Sequence, residues 1–359
     1  MNKTLFVFSN DFGELVLLRL LLFKQPVHVY LALPERLFEH VEYPNATKFL
    51  YHTSDDLKKN IGDIQPEQVL LFSAYLIAPN NILTFPEFYS FLDYLDEKKI
   101  AVSTSDPFMR YYDQLDYDPD SVDFRSKVRD KLKELSERLT VYRHLYSVPV
   151  QFDGAPCQSF SNPFKRDVIV PSDDRKQWTF IMSSEEFLLL QNGNDGSYHK
   201  TLIPLFTSLV QNHNIKVNLV FPEALNEILK LKLTAIPNIN YVSYCSMAAF
   251  EDLIAQSDLM LYWNVFSAST LLCRLYKKPT VFLGLGHMET IFPGFYKYIK
   301  SSWFPENDPE IIPLDDASIA TLIKSLECDD ESMKNPKLHQ PYYELDTPLA
   351  ILSNKTEAL

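Results

Sequence analysis

Ser267, Ser269 and Thr270 fall together where an apolar run, Leu259 to Trp263, gives way to a helix-like segment. N–H groups and hydroxyls gathered at a helix opening can hold an anion such as a diphosphate, and three hydroxyl residues exceed what a cap requires. An ordinary N-cap made by Ser267 is the competing account. Asp11 and Glu14, in SNDFGE, follow the run Leu5 to Ser9, and Gly13 between them permits a sharp bend. Asp106, in STSDPF, follows Ile100 to Thr104. A carboxylate in such a turn can remove the proton of an attacking hydroxyl. Asp11 could equally cap a helix, and Asp106 could equally start an Asp-Pro turn.

Other chemistries are poorly provided for. Glycine is scarce, 8 in 359 residues, about 2% against a usual value near 7%, and neither a Walker A nor a G-x-G-x-x-G pattern occurs. A phosphate site here must therefore use helix N-termini and hydroxyls. Cys157, Cys245, Cys273 and Cys328 are far apart, so buried thiols are expected rather than zinc or disulfides. His28, His40, His52 and His144 lack metal-ligand spacing, and the Asp116 and Asp118 pair lies in a solvated-looking loop, so no metal is expected. A net charge of −13 argues against general affinity for nucleic acid or anionic membrane. The longest apolar run, Leu15 to Phe23, is interrupted by Arg19 and too short for a membrane span. With no signal-peptide pattern at the start, a cytoplasmic location is expected.

The elements that would position these residues form two similar layouts. Strand-like runs at Leu5 to Ser9, Val27 to Leu33, Lys48 to His52, Val69 to Ser73 and Ile100 to Thr104 alternate with helical patterns at Glu14 to Lys24, Asp55 to Ile61 and Pro86 to Lys98. Asp120 to Tyr146 reads as a long amphipathic helix or a helix pair. The pattern lapses into prolines and serines from Ser147 to Gln177, then restarts. Strands are predicted at Trp178 to Ser183, Ile215 to Phe221, Ile239 to Tyr244, Leu259 to Trp263 and Thr280 to Leu283. Helices are predicted at His199 to His213, Pro222 to Leu231, Met247 to Gln256, Ala268 to Tyr276 and Asp315 to Leu326. Continuous apolar strands alternating with helices imply an α/β chain with two doubly wound parallel sheets. The expected division is 1–150, a linker over 151–177, 178–334, and a tail over 335–359 that returns toward the first domain.

The stretch Ile239 to Leu285, INYVSYCSMAAFEDLIAQSDLMLYWNVFSASTLLCRLYKKPTVFLGL, together with the segment Ile312 to Lys334, resembles the nucleotide-sugar-binding half of the GT-B glycosyltransferase superfamily. The likeness covers roughly Trp178 to Lys334, while the first half matches in layout only. It implies two tandem Rossmann-like domains facing a central cleft, an acceptor domain first and a donor domain second. It also implies transfer of a sugar from a nucleotide-activated donor, UDP-linked by preference, to an acceptor hydroxyl, by inversion, without metal or other cofactor.

By the resemblance, Ser267, Ser269 and Thr270 would hold the diphosphate, with Ser183 and Ser184 facing the same ligand unless they only build a capping box. Tyr244 and Ser246 lie where the base would be read, and His287 and Glu289 where phosphate and sugar would be met. Asp11, Glu14 and Asp106 become candidates for the acceptor-side base. One departure stands out: the helix ASTLLCRLY lacks the glutamate that many members use for the ribose, so either Glu251 or Glu289 takes that task, or the chain is a divergent branch, or its donor site is degenerate. A binding protein of this fold without catalysis, and a nucleotide-sugar epimerase of the same architecture, are the alternatives.

Overall fold

A computed structural model describes residues 3–22, 28–77, 82–105, 134–142, 167–168 and 175–327, apart from 42, 44, 136, 292, 294–295, 298–299, 301–303 and 305–307. The chain separates into two compact units, with the sequence passing from one to the other between Phe164 and Lys165. Most of the expected linker, and the expected tail from 335 onward, lie outside the described residues.

The first unit holds a six-stranded parallel sheet: β1 (Thr4–Val7), β2 (Val29–Leu33), β3 (Ala46–Leu50), β4 (Gln68–Phe72), β5 (Ala101–Ser105) and β6 (Thr140–Tyr142), in the spatial order 3-2-1-4-5-6. Residues of β1, β2 and β4 are almost wholly buried, which is why those segments read as unbroken apolar runs. Helices Ser54–Ile64 and Phe85–Glu97 lay Leu57, Ile61, Phe88, Phe91 and Leu95 against Leu5, Val7, Val69 and Leu71. Each of these helices starts in a reciprocal capping box, Thr53 with Asp56 and Thr84 with Glu87. Strand order reverses between β1 and β4, the point beside which open parallel sheets hold their ligands.

The second unit repeats the scheme with five parallel strands: β7 (Gln177–Ile181), β8 (Lys216–Val220), β9 (Ile239–Val242), β10 (Leu259–Tyr262) and β11 (Thr280–Phe282), in the order 11-10-7-8-9. Here the reversal falls between β7 and β10. The core gathers Trp178, Phe180, Leu219, Phe221, Leu261 and Trp263 with Leu202, Phe206 and Leu209 of the helix His199–Gln211.

Elements differ from the sequence expectation in several places, the short helices Glu35–Phe38 and Ala74–Ile77 among them. The pattern over Asp120 to Tyr146 is not one helix throughout, because Thr140–Tyr142 forms an edge strand pairing with Ser103 to Ser105. A β-branched, β-branched, aromatic triplet suits a pleated edge better than a helix end. The helix Ser184–Gly193 is not among the predicted ones, because its acidic and amide residues dilute the helical apolar stripe. The short helix His287–Ile291 follows β11 where no helix is predicted. Among the described residues no helix is long and apolar enough to cross a membrane.

Candidate functional site

At the reversal point of the first sheet, the chain leaves β1 through Ser9, Asn10 and Asp11 and enters the helix Gly13–Leu22. That helix, GELVLLRLLL, carries apolar residues on nearly every side, so its first acidic residue is drawn into the interior. Glu14 is fully buried and accepts hydrogen bonds from Ser9 N at 2.7 Å and Ser9 Oγ at 2.7 Å, with the Ser73 side chain as a further partner. Burial, and then the nearby Asp11 carboxylate, push the Glu14 pKa well above the ordinary range against the lowering effect of those bonds. Ser73, directly after β4, sits at φ 47°, and the Tyr51 hydroxyl donates to Phe8 O after β1.

Asp11 is exposed instead. Its Oδ1 accepts from Gly13 N at 2.7 Å, and its own N–H donates to Ser9 Oγ at 3.2 Å. A chain of bonds thus runs from buried Glu14 through Ser9 to the Asp11 backbone. The Glu14 carboxyl holds the turn while Asp11 presents its side chain to solvent. Asp106 lies outside the described residues.

A pH consequence follows for Glu14. A folded pKa above the unfolded value, about 4.3, means folding favours the proton-bound form. That contribution is complete below the unfolded pKa and is lost as pH rises through the folded one. Glu14→Gln is neutral at every pH and still offers an oxygen to Ser9 N–H. Its melting temperature is expected to match the wild type near pH 4 and exceed it near pH 8. Two parallel melting profiles would show that Glu14 does not resist ionisation.

At the reversal point of the second sheet, one carboxylate joins three loops. Glu186, 3% exposed, is the third residue of the helix Ser184–Gly193. Its Oε2 accepts from Ser183 N at 3.0 Å, and Ser183 Oγ accepts from Glu186 N at 3.3 Å, the capping box that S-S-E-E suggests. Its Oε1 faces the other way. It accepts from Asn264 Nδ2 at 3.0 Å in the loop after β10, and from His287 Nδ1 at 2.5 Å and His287 N at 3.4 Å after β11. Burial alone would raise the Glu186 pKa. The hydrogen bond and charge of His287, helped by Ser183, outweigh it and leave the net shift downward.

Asn264 is itself fixed, since its Oδ1 accepts from Phe266 N at 2.9 Å. Gly286 makes room for it: at φ 99°, a Cβ at Gly286 would stand 2.5 Å from Asn264 Oδ1. This is where a scarce glycine is required, by both backbone conformation and space.

The hydroxyls at the helix opening point elsewhere than expected. Ser269 is 6% exposed and donates to Tyr262 OH at 3.0 Å, and Tyr262 OH lies 3.1 Å from Cys273 Sγ. Thr270, 3% exposed, donates to Ser267 O at 2.7 Å. Both side chains are therefore engaged by the protein's own groups, which fix the turn into the helix Thr270–Leu275. Half-buried Ser267, with Oγ 3.0 Å from Ser269 Oγ, is the hydroxyl nearest solvent.

The remaining candidates are spread along the same carboxyl edge. Ser184 is half-buried at the first turn of its helix. Tyr244 is 48% exposed after β9, and Ser246 caps the helix Met247–Gln256 by accepting from Ala249 N at 3.3 Å. Glu289 is exposed, whereas Glu251 is buried and accepts from Tyr276 OH at 2.9 Å. Burial pushes the Cys245 thiol up to about 11 and the Cys273 thiol up to about 12. Among the described residues no three His, Cys, Asp or Glu side chains cluster in a way that could hold a metal ion.

Neither Glu186 nor Asn264 stands out in the sequence. Its own position hides Glu186, because a glutamate three residues after a capping serine is accounted for by the capping box. Glu, Asn and Gly-His stand together only once the loops after β7, β10 and β11 are seen to share one sheet edge.

No protein-family model matches the chain, and no curated protein sequence does. Solved structures do match. Staphylococcus aureus MnaA, solved with UDP, aligns with 96% of this chain and 93% of its own, at a TM-score of 0.54 and 11% identity. UDP-GlcNAc 2-epimerase from Methanocaldococcus jannaschii aligns over 98% of both chains, at a TM-score of 0.51 and 11% identity. The glycosyltransferase of kitacinnamycin aligns with 93% of this chain and 92% of its own, at a TM-score of 0.54 and 11% identity.

Proposed function

We propose, from the GT-B fold that the chain shares with these proteins, that it is a nucleotide-sugar enzyme which binds its donor at the carboxyl edge of the second sheet. The observation that carries this reading is the Glu186, Asn264 and His287 cluster at the reversal of strand order, where the loops of three strands are tied to one buried carboxylate. Ligands of open parallel sheets lie at that point. On this reading His287 and Ser267 meet the diphosphate, Tyr244 and the Ser246 loop meet the base, and Glu289 meets the sugar. Ser183, Ser269 and Thr270 support the loops from within. The preferred donor is a UDP-sugar, since MnaA was solved with UDP.

The reaction we favour is transfer of the sugar to an acceptor hydroxyl with inversion, with Asp11 of the first unit as the base. Its carboxylate is exposed at the carboxyl end of β1, whereas the Glu14 carboxylate is buried beyond reach of a substrate. A thermal-shift series with UDP-, GDP-, TDP- and CMP-sugars tests the binding claim. A donor present at 100 times its dissociation constant is expected to add about 2.7 kcal/mol of stability. No shift with any of the four classes would remove the reading.

Epimerisation is the second reading, favoured by the near-complete alignment with the M. jannaschii epimerase. Proton NMR of UDP-GlcNAc incubated with the protein and no acceptor separates the two. A new C2 epimer supports epimerisation, and an unchanged donor that is consumed only when an acceptor is added supports transfer.

A further inference from the structure

We infer that Glu186 is a positioning residue acting through His287, keeping a proton on Nδ1 so that the ring meets a diphosphate as an imidazolium donating from Nε2. The inference rests on the reading of this edge as the diphosphate site of a nucleotide sugar. A capping box asks of Glu186 only its exchange with Ser183, which Oε2 supplies. Oε1 is bonded independently, to Asn264 Nδ2 at 3.0 Å and His287 Nδ1 at 2.5 Å, and neither contact helps the helix to start.

The chemistry follows from which atom donates. A carboxylate has no proton to give, so Nδ1 must carry one and the lone pair of a neutral ring falls on Nε2. A lone pair directed at phosphate oxygens repels them. Uptake of one proton at Nε2 turns that atom into a charge-assisted donor. Two nearby negative groups, Glu186 and the arriving diphosphate, both favour that uptake. Carboxylate–imidazole pairing thus makes diphosphate binding draw a proton from solvent. Among the described residues, the other charged side chains on the helices that carry Glu186 and His287 are Glu185 and Glu289, both exposed, and the segment whose Tyr296 packs on Phe266 adds Lys297 and Lys300. The loop Trp263 to Thr270 contributes no charged side chain.

Calorimetric titrations with UDP-GlcNAc between pH 5.5 and 8.5 test this, with uridine as the phosphate-free control. The diphosphate diester of UDP-GlcNAc keeps its charge over that range, so a pH dependence belongs to the protein. Wild-type affinity for UDP-GlcNAc is expected to fall as pH rises, and that for uridine to stay level. His287→Gln is expected to weaken UDP-GlcNAc about 10-fold at the acid end and to flatten the profile. Glu186→Gln is expected to displace the fall toward lower pH, and the double variant to be no weaker than His287→Gln alone. Glu186→Asp, which keeps the charge, is expected to retain the wild-type profile.

If Glu186 merely ties loops together, Glu186→Gln will weaken uridine and UDP-GlcNAc alike and leave the pH profile in place, which overturns the inference. A His287→Gln variant with a wild-type profile overturns it as well. Binding of neither ligand to the wild type removes the nucleotide-site reading, and this inference with it.

Discussion

Asp11→Asn is expected to lower turnover about 10²- to 10⁴-fold while leaving donor affinity and melting temperature nearly unchanged, the signature of a lost general base. The expectation depends on a division of labour between two neighbouring carboxyls. Glu14 takes two hydrogen bonds from Ser9 inside the protein, and Ser9 Oγ accepts the Asp11 N–H, so the backbone of the turn is fixed from within. Asp11 uses one oxygen to accept the Gly13 N–H at 2.7 Å. Asparagine keeps an oxygen at that place and caps about as well as aspartate, so the substitution leaves the turn intact and removes the basicity. Steady-state kinetics with whichever donor the thermal-shift series identifies, alongside melting curves, decides the matter. Full turnover in Asp11→Asn would reduce Asp11 to the cap of the helix Gly13–Leu22.

That division also marks what the sequence discloses. Alternating apolar runs and amphipathic stretches expose the doubly wound scheme, because strands buried on both faces are mostly apolar, as VYLAL of β2 and LMLY of β10 are throughout and TLFV of β1 and QVLLF of β4 are after their first residue. Side-chain direction does not follow. Nothing in SNDFGE says that Glu14 turns inward and Asp11 outward, except that GELVLLRLLL is too apolar for a surface helix. Likewise, three hydroxyls in SAST look like an anion cradle, yet Ser269 and Thr270 answer to Tyr262 and the Ser267 carbonyl. Pairings at separations of 78 and 101 residues, Glu186 with Asn264 and with His287, have no local trace at all. Such contacts are set by which strands become neighbours, which local pattern does not encode.

Thr179→Val is expected to destabilise the second unit by about 3 kcal/mol, although it replaces a wholly buried side chain with one of the same shape. Thr179 is the middle of a directed hydrogen-bond chain across the sheet. Ser257 Oγ donates to Leu253 O at 2.6 Å, so the 2.6 Å contact between Thr179 and Ser257 has Thr179 as its donor. The Thr179 oxygen in turn accepts from Asn218 Nδ2 at 2.9 Å, and Asn218 Oδ1 accepts from Asn240 Nδ2 at 3.1 Å.

Valine in the middle leaves the Asn218 amide, 1% exposed, with a donor that neither water nor protein satisfies, and an unmet buried polar group costs about 1–3 kcal/mol beyond the lost bond. Replacing both partners behaves differently. Thr179→Val with Asn218→Leu removes the stranded donor, and the exposed Asn240 amide can turn to water. The double variant is therefore expected to recover more than half of the loss, a coupling of opposite sign to simple additivity. Trp178 and Trp263, both buried in this unit, report its unfolding by fluorescence in denaturant. Equal losses in Thr179→Val and the double variant would mean that packing, and not the hydrogen-bond chain, decides the stability of this sheet.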